Sequence, residues 1–148
     1  MTIRLAETAA DLRRCLPALL TLRPHLDGAT ALTMLQEQQA NEHVSVAFVD
    51  TGADAAPAVI TYRRLTFLFS GKTIYIDDLS TLPASRGRGY AGALLDFVIE
   101  QARQQGYQTV SLDSGPTRHD AHRLYLNKRF QLSSHHFSLT LINERMSE

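Results

Sequence analysis

Tryptophan is absent from the 148-residue chain, and cysteine occurs once, as Cys15. A lone cysteine excludes a disulfide within the chain and a cysteine-based zinc site. Net charge is missing too, because 15 basic residues cancel 15 acidic ones. That balance argues against a dedicated nucleic-acid or membrane-surface binder. No apolar run approaches the ~18 residues of a membrane-spanning helix, and the opening MTIRLAETAADLRRC lacks the apolar centre of a secretion signal. Repeats, long linkers and low-complexity stretches are also lacking. What remains is 44% hydrophobic and 20% charged, too apolar for disorder and close to a typical globular composition. The expectation is one domain over residues 1–148, located in the cytoplasm.

Periodicity predicts the elements. Residues 2–5 form a short first strand. Thr8 and Asp11 make a capping box before Leu12, Cys15, Leu16, Leu19 and Leu20 at helical spacing. Pro17 predicts a kinked or divided helix there. Asp27-Gly28 punctuates before a weaker helix over 29–40. From His43 the period becomes two, with Val44, Val46 and Phe48 alternating with Ser45, Ala47 and Val49. Two further β-rich runs, joined by Ser70-Gly71-Lys72, complete an antiparallel meander. Ala91, Leu94, Leu95, Val98 and Ala102 then give an apolar helical stripe ended by Gly106. TVSLDS reads as a buried strand. Thr117 and Asp120 frame a second capping box, opening a helix to about Arg129. Alternating Phe137, Leu139 and Leu141 predict a final strand. The fold class is α/β (α+β): a mixed, mostly antiparallel sheet flanked by helices, in the order β-α-α-β-β-β-α-β-α-β.

The most chemical stretch is Leu82-Pro83-Ala84-Ser85-Arg86-Gly87-Arg88-Gly89-Tyr90-Ala91-Gly92, between a strand and an amphipathic helix. Glycines let backbone N–H groups turn toward a ligand, and a helix N-terminus adds partial positive charge, so the segment suits a phosphate. A glycine turn that only caps the helix has the same composition. Gly87, Gly89 and Gly92 also spell G-x-G-x-x-G, with Asp113 about 20 residues on. A dinucleotide fingerprint, however, leaves the first strand of a βαβ unit rather than an antiparallel meander.

Arg86-Gly87-Arg88-Gly89-Tyr90-Ala91 fills the pattern R/Q-x-x-G-x-G/A. Asp78-Leu79-Ser80-Thr81-Leu82-Pro83 precedes it at the spacing of D-L-x-V-x-P. Ala121-His122-Arg123-Leu124-Tyr125 follows the pattern A-x-x-x-Y, and Lys128-Arg129-Phe130 stands where x-G-F is common, with Arg129 in the glycine's place. In these motifs and their order the chain resembles the GNAT superfamily of acetyl-CoA-dependent N-acetyltransferases. The resemblance implies acetyl-CoA as cosubstrate and an amine-bearing small molecule or peptide as acceptor, and it leaves room for a homodimer. The balanced charge and the lack of a long apolar run predict no nucleic-acid or membrane partner, and the spacing of the histidines predicts no metal. Backbone groups of Leu79, Ser80 and Thr81 would bond the pantetheine arm. The segment Arg86, Gly87, Arg88, Gly89, Tyr90, Ala91 and Gly92 would hold the pyrophosphate. Arg118 stands where many members place an asparagine, and an arginine there can meet a phosphate instead.

Acetyl transfer to an amine needs a base for the amine proton, a donor for the developing oxyanion and an acid for the departing thiolate. It needs no protein nucleophile, which suits a Cys15 read as a core residue. The resemblance makes Tyr125 the acid; a packed tyrosine is the structural alternative. For the base the order is Asp113, then Asp77, then Asp78. Strict alternation puts Asp77 and Asp78 on opposite faces, with Asp78 beside Ile74 and Ile76. His119, His122, His135 and His136 lack the grouping of a zinc site. The pairs Arg13-Arg14 and Arg63-Arg64 read as a solvated face or as salt-bridge partners, with a grip on an acidic acceptor as the alternative. A non-catalytic acyl-CoA-binding domain would share the same cofactor motif, and only turnover separates it from an enzyme.

Overall fold

The computed structural model describes residues 1–142. Strand β1 (Thr2–Leu5) leads into helices α1 (Ala9–Leu22) and α2 (Gly28–Asn41). Strands β2 (Ser45–Asp50), β3 (Ala58–Phe67) and β4 (Gly71–Thr81) follow, then α3 (Tyr90–Gln104), β5 (Thr109–Leu112) and α4 (His119–Asn127). The five strands lie in the sheet order β1-β2-β3-β4-β5. Every pair is antiparallel except β4–β5. Among the described residues this is a mixed α/β arrangement, a mostly antiparallel sheet with four helices, and not a doubly wound dinucleotide fold.

The chain divides into two compact units, Met1–Leu112 and a second beginning at Asp113. In the first, one sheet face meets α1 and α2 through Leu12, Cys15, Ala18, Leu19 and Leu35 against Val46, Phe48 and Val59. The other face meets α3, whose Leu94, Leu95 and Val98 are fully buried. There the hydroxyl of Tyr62 donates to Gln101 Oε1 at 2.7 Å. Strand β2, between β1 and β3, is buried on both faces from Val46 to Val49, so its alternation sorts residues between two cores rather than between core and water.

Local chemistry accounts for the ends of the helices. Thr8 Oγ1 accepts from Asp11 N–H at 3.1 Å at the start of α1, and Asp27 Oδ1 accepts from Thr30 N–H at 2.7 Å at the start of α2. After α3, Gly106 takes a left-handed φ of 76°, and Tyr107 N–H returns to Ala102 O at 2.8 Å.

Two expectations are corrected and one is narrowed. Helix α1 is not divided at Pro17 but runs through it, because burial of Cys15, Ala18 and Leu19 around it outweighs the ~3 kcal/mol that an interior proline costs. The Thr117–Asp120 box is not made: α4 begins at His119 with Arg118 as N-cap and no side-chain cap. The final strand is also missing among the described residues. Leu132, Phe137, Leu139 and Leu141 are between 82% and 91% exposed, and no strand spans 131–142. Alternation defines a face, but a strand is stabilised by cross-strand partners, and this run has no second run to form a hairpin with.

Candidate functional site

The glycine-rich segment leaves β4 through a single 3-10 turn over Pro83–Ser85. Gly87 and Gly89 then adopt left-handed φ angles of 79° and 82°. A Cβ at either would meet nothing within 4 Å, so glycine is required there for its backbone conformation and not for want of room. Gly89 is also the N-cap of α3, and no side chain caps that end. Among the described residues the first-turn amides of Tyr90, Ala91 and Gly92 therefore have no side-chain acceptor, and the helix dipole adds positive potential at the same place. Arg86 and Arg88 are exposed beside them. An anion with several oxygens fits this arrangement, and a phosphate is such an anion.

Strand β4 is paired unequally on its two edges. Its ladder with β3 continues to Ala58↔Thr81, whereas its ladder with β5 ends at Ile76↔Leu112. From Asp77 to Thr81 the β5-side edge has no strand partner among the described residues, although Leu79 and Ser80 are each only 7% exposed. The Ser80 hydroxyl donates to Ala18 O at 2.6 Å, which ties β4 to α1.

The β3–β4 register slips at this point. Thr61 pairs with Asp78 and Tyr62 with Ile76, so Asp77 is the extra residue of a bulge. The bulge overturns the expectation that Asp77 and Asp78 face opposite ways. Thr61 and Arg63 share one face of β3, and each bonds one of the two aspartates. The Thr61 hydroxyl donates to Asp78 Oδ2 at 2.7 Å. Arg63 Nε donates to both Asp77 oxygens at 3.0 and 3.1 Å, and its Nη2 also bonds Asp77 Oδ2. Both carboxylates thus stand on the α1–α2 face, while Ile74 and Ile76 lie with Tyr62 on the other. The Asp77 carboxylate, and after it Glu42, push the Arg63 guanidinium above the ordinary arginine range.

Asp78 has a different neighbour. Arg23, the C-cap of α1, donates from Nε to Asp78 Oδ1 at 2.9 Å and from Nη2 to Asp77 O at 3.3 Å. This ion pair lies on the wall of a cavity of about 290 Å³ between α1, α2 and β4, whose apolar lining is four leucines with Ala31 and Met34 and whose polar lining adds His25 and Gln38 to the pair. Asp77 does not line it. Sequence reading placed Asp78 last among the bases and missed Arg23, because a pair 55 positions apart leaves no local signal.

The second unit holds the remaining expected residues. Asp113 is 45% exposed at its side chain, with its Oδ1 at 3.4 Å from His136 Nδ1. Tyr125 is 8% exposed and packs on Phe130, ring centroids 6.0 Å apart. Burial raises its phenol pKa, and the Arg118 charge opposes that shift in part. Arg129 itself takes the left-handed φ of 71°, and Phe130 N–H reaches Tyr125 O at 3.0 Å. An arginine thus holds the backbone position where glycine is common. Ser114 Oγ is buried with no hydrogen-bond partner among the described residues. No cluster of three or more metal-ligating side chains occurs among them, and no described helix is long and apolar enough to cross a membrane.

Among the described residues, an unpaired edge of β4 that runs into a glycine turn and an uncapped helix N-terminus makes a place for an anion carried on an extended arm. The acetyltransferase (GNAT) family profile matches residues 8–130, and the chain belongs to that family. An uncharacterized N-acetyltransferase of Bacillus subtilis (strain 168), YhdJ, is 34% identical over 123 residues, covering 82% of this chain and 85% of that protein. The aminoalkylphosphonate N-acetyltransferase of Salmonella typhimurium (strain LT2) is 36% identical over 66 residues, 45% of this chain and 43% of that protein. Among solved structures, an acetyltransferase of Trypanosoma brucei superposes with a TM-score of 0.76 at 21% identity, covering 95% of this chain and 99% of the other. A predicted acetyltransferase of Clostridium acetobutylicum with acetyl-CoA superposes at 0.72 and 17% identity, covering 95% and 96%. The protein is an acyltransferase of the N-acetyltransferase kind.

Proposed function

We propose that the chain transfers an acetyl group from acetyl-CoA to the primary amine of a small molecule or peptide by direct attack of the amine. One observation carries this reading. Strand β4 runs past the end of β5 with one edge unpaired, then enters the turn whose left-handed glycines open the uncapped N-terminus of α3. An extended arm bearing amides can complete an unpaired strand edge, and a pyrophosphate can complete the helix terminus. In this reading the backbones of Leu79, Ser80 and Thr81 bond the pantetheine arm. Arg86, Gly87, Arg88, Gly89, Tyr90, Ala91 and Gly92 hold the pyrophosphate, and Arg118 adds charge. Acetyl-CoA supplies the activated acyl group.

Tyr125 donates its proton to the departing thiolate. Its raised pKa keeps the phenol protonated at neutral pH, as an acid requires. Asp113 accepts the proton of the amine, which is mostly protonated at neutral pH and must lose it to attack. Asp77 is the second candidate for the base, and both of its oxygens accept from Arg63. The reading includes the cytoplasm as compartment and covers all of residues 1–148 as one functional domain.

The test is a thermal-shift titration with acetyl-CoA, CoA and NADPH, followed by thiol release with a panel of amines. Stabilisation by both CoA species and not by NADPH, with turnover of an amine, is expected. Tyr125→Phe and Asp113→Asn each lower kcat by about a hundredfold or more while still binding CoA. CoA binding with no turnover of any amine selects a non-catalytic acyl-CoA-binding domain. Stabilisation by NADPH alone overturns the reading.

A further inference from the structure

We propose that the acceptor is a free α-amino acid or a close acidic analogue: a primary amine beside an anionic group, on an uncharged apolar side chain. The inference rests on the acetyltransferase reading and adds how this chain selects its acceptor. It comes from the cavity between α1, α2 and β4, where three kinds of surface meet. Leu20, Leu26 and Met34 offer an apolar wall, Asp78 an anion and Arg23 a cation.

Both charged groups keep unused bonding capacity. A carboxylate has about four lone-pair sites and a guanidinium five N–H donors. The described residues give Asp78 only Arg23 and Thr61 as partners. They give Arg23 only Asp78 and Asp77 O, through Nε and Nη2, so Nη1 has no partner among them. Arg23 is also 46% exposed at its side chain, and a ligand can reach it. Asp78 can take an ammonium and Arg23 an acid.

The spacing of the pair narrows the ligand further. Arg23 and Asp78 are in contact, 2.8 Å apart, so a ligand that matches both must carry its own two charges adjacent, as an α-amino acid does. A polyamine brings a second positive charge toward Arg23. A peptide N-terminus or a simple alkylamine brings no acid for it. The cavity of about 290 Å³ has space for about ten water-sized groups, which suits a whole amino acid of leucine or methionine size. Asp78 also lies within the stretch of β4 that β5 does not cover, so an amine held there is delivered beside the edge assigned to the thioester arm. Arg23 and Asp78 are in this sense positioning and specificity residues.

The experiment compares acceptors that share one carbon skeleton. Initial rates are measured with the full chain, saturating acetyl-CoA, and L-leucine, its α-aminophosphonic analogue, leucinamide, isoamylamine or spermidine. Leucine or the phosphonate is expected to exceed isoamylamine and leucinamide in kcat/KM by about ten- to a hundredfold, the usual weight of a charge-assisted hydrogen bond. The better of the two acids identifies the anionic group. In Arg23→Gln the advantage collapses through KM rather than kcat, and Arg23→Lys restores part of it. A merely structural ion pair would lower all five rates together. Equal rates for leucine and isoamylamine overturn the inference and leave acetyl transfer standing. So does leucinamide matching leucine, which indicates peptide N-termini, or spermidine exceeding both. No turnover of any amine, with acetyl-CoA still bound, removes the underlying reading as well.

Discussion

Asp50 ends β2 and receives Arg4 Nε at 2.7 Å, Arg14 Nη2 at 2.6 Å and the amide of Gly52 at 2.9 Å. The Arg14 bond first, then Gly52 and Arg4, hold its carboxyl far below the usual carboxylate range. A depressed folded-state pKa contributes stability that is present above the unfolded value of about 3.9 and is lost as pH falls toward the folded one. Asp50→Asn should therefore lower Tm at pH 7, with the gap to the parent chain closing as pH drops below about 4; a gap constant with pH would refute the charge explanation. Arg129 offers a second check. Its left-handed backbone costs an L-residue roughly 1–2 kcal/mol, partly offset by the freedom that glycine adds to the unfolded chain. Arg129→Gly is expected to gain about 0.5–1 kcal/mol in urea denaturation. Cys15 was legible at this scale: it is fully buried, and burial pushes its thiol up to about 12. The partners of Asp77 and Asp78 were not legible, because one inserted residue changes which face a side chain takes, and alternation has no symbol for an insertion.

Among elements, those with strong periodicity and a chemical stop were readable. Helix α3 has its apolar stripe at Leu94, Leu95, Val98 and Ala102 and its glycine stop at Gly106. The meander and the Thr8 cap followed in the same way. Elements that depend on a distant partner were not readable. The apolar alternation of 131–142 is real, but no second run in the described chain pairs with it. The local cost of Pro17 left open whether the helix divides there, and the packing of Cys15, Ala18 and Leu19 keeps it whole. At the N-terminus of α3, Gly89→Ala isolates backbone conformation from space, since the new Cβ meets nothing within 4 Å. It should cost about 1 kcal/mol of stability in denaturant titration. Calorimetry should show CoA affinity falling by more than the roughly fivefold that 1 kcal/mol represents, because the turned amides, and not the fold, are what the substitution displaces.

For the whole molecule, exposure of Leu132, Phe137, Leu139 and Leu141 without a ladder makes 131–142 the first site of attack by a protease that cuts after large apolar residues. Mass spectrometry of a brief chymotrypsin digest should show cleavage there before any cut within β2, β3 or α3. Earlier cutting in the sheet would contradict the assignment. The bulge in β4 has a consequence for how this molecule can be altered. With Asp77 removed, Ile76 and Asp78 would follow each other in ordinary alternation, and every other side chain of the strand would keep its face. The strand is thus a regular one carrying an insertion, and the insertion is separable from the packing around it. A one-residue deletion, rather than any substitution, is the change that can take away the irregularity while leaving both cores composed as they are. At this strand, chain length and not side-chain identity is the variable that divides what folds the protein from what shapes its site.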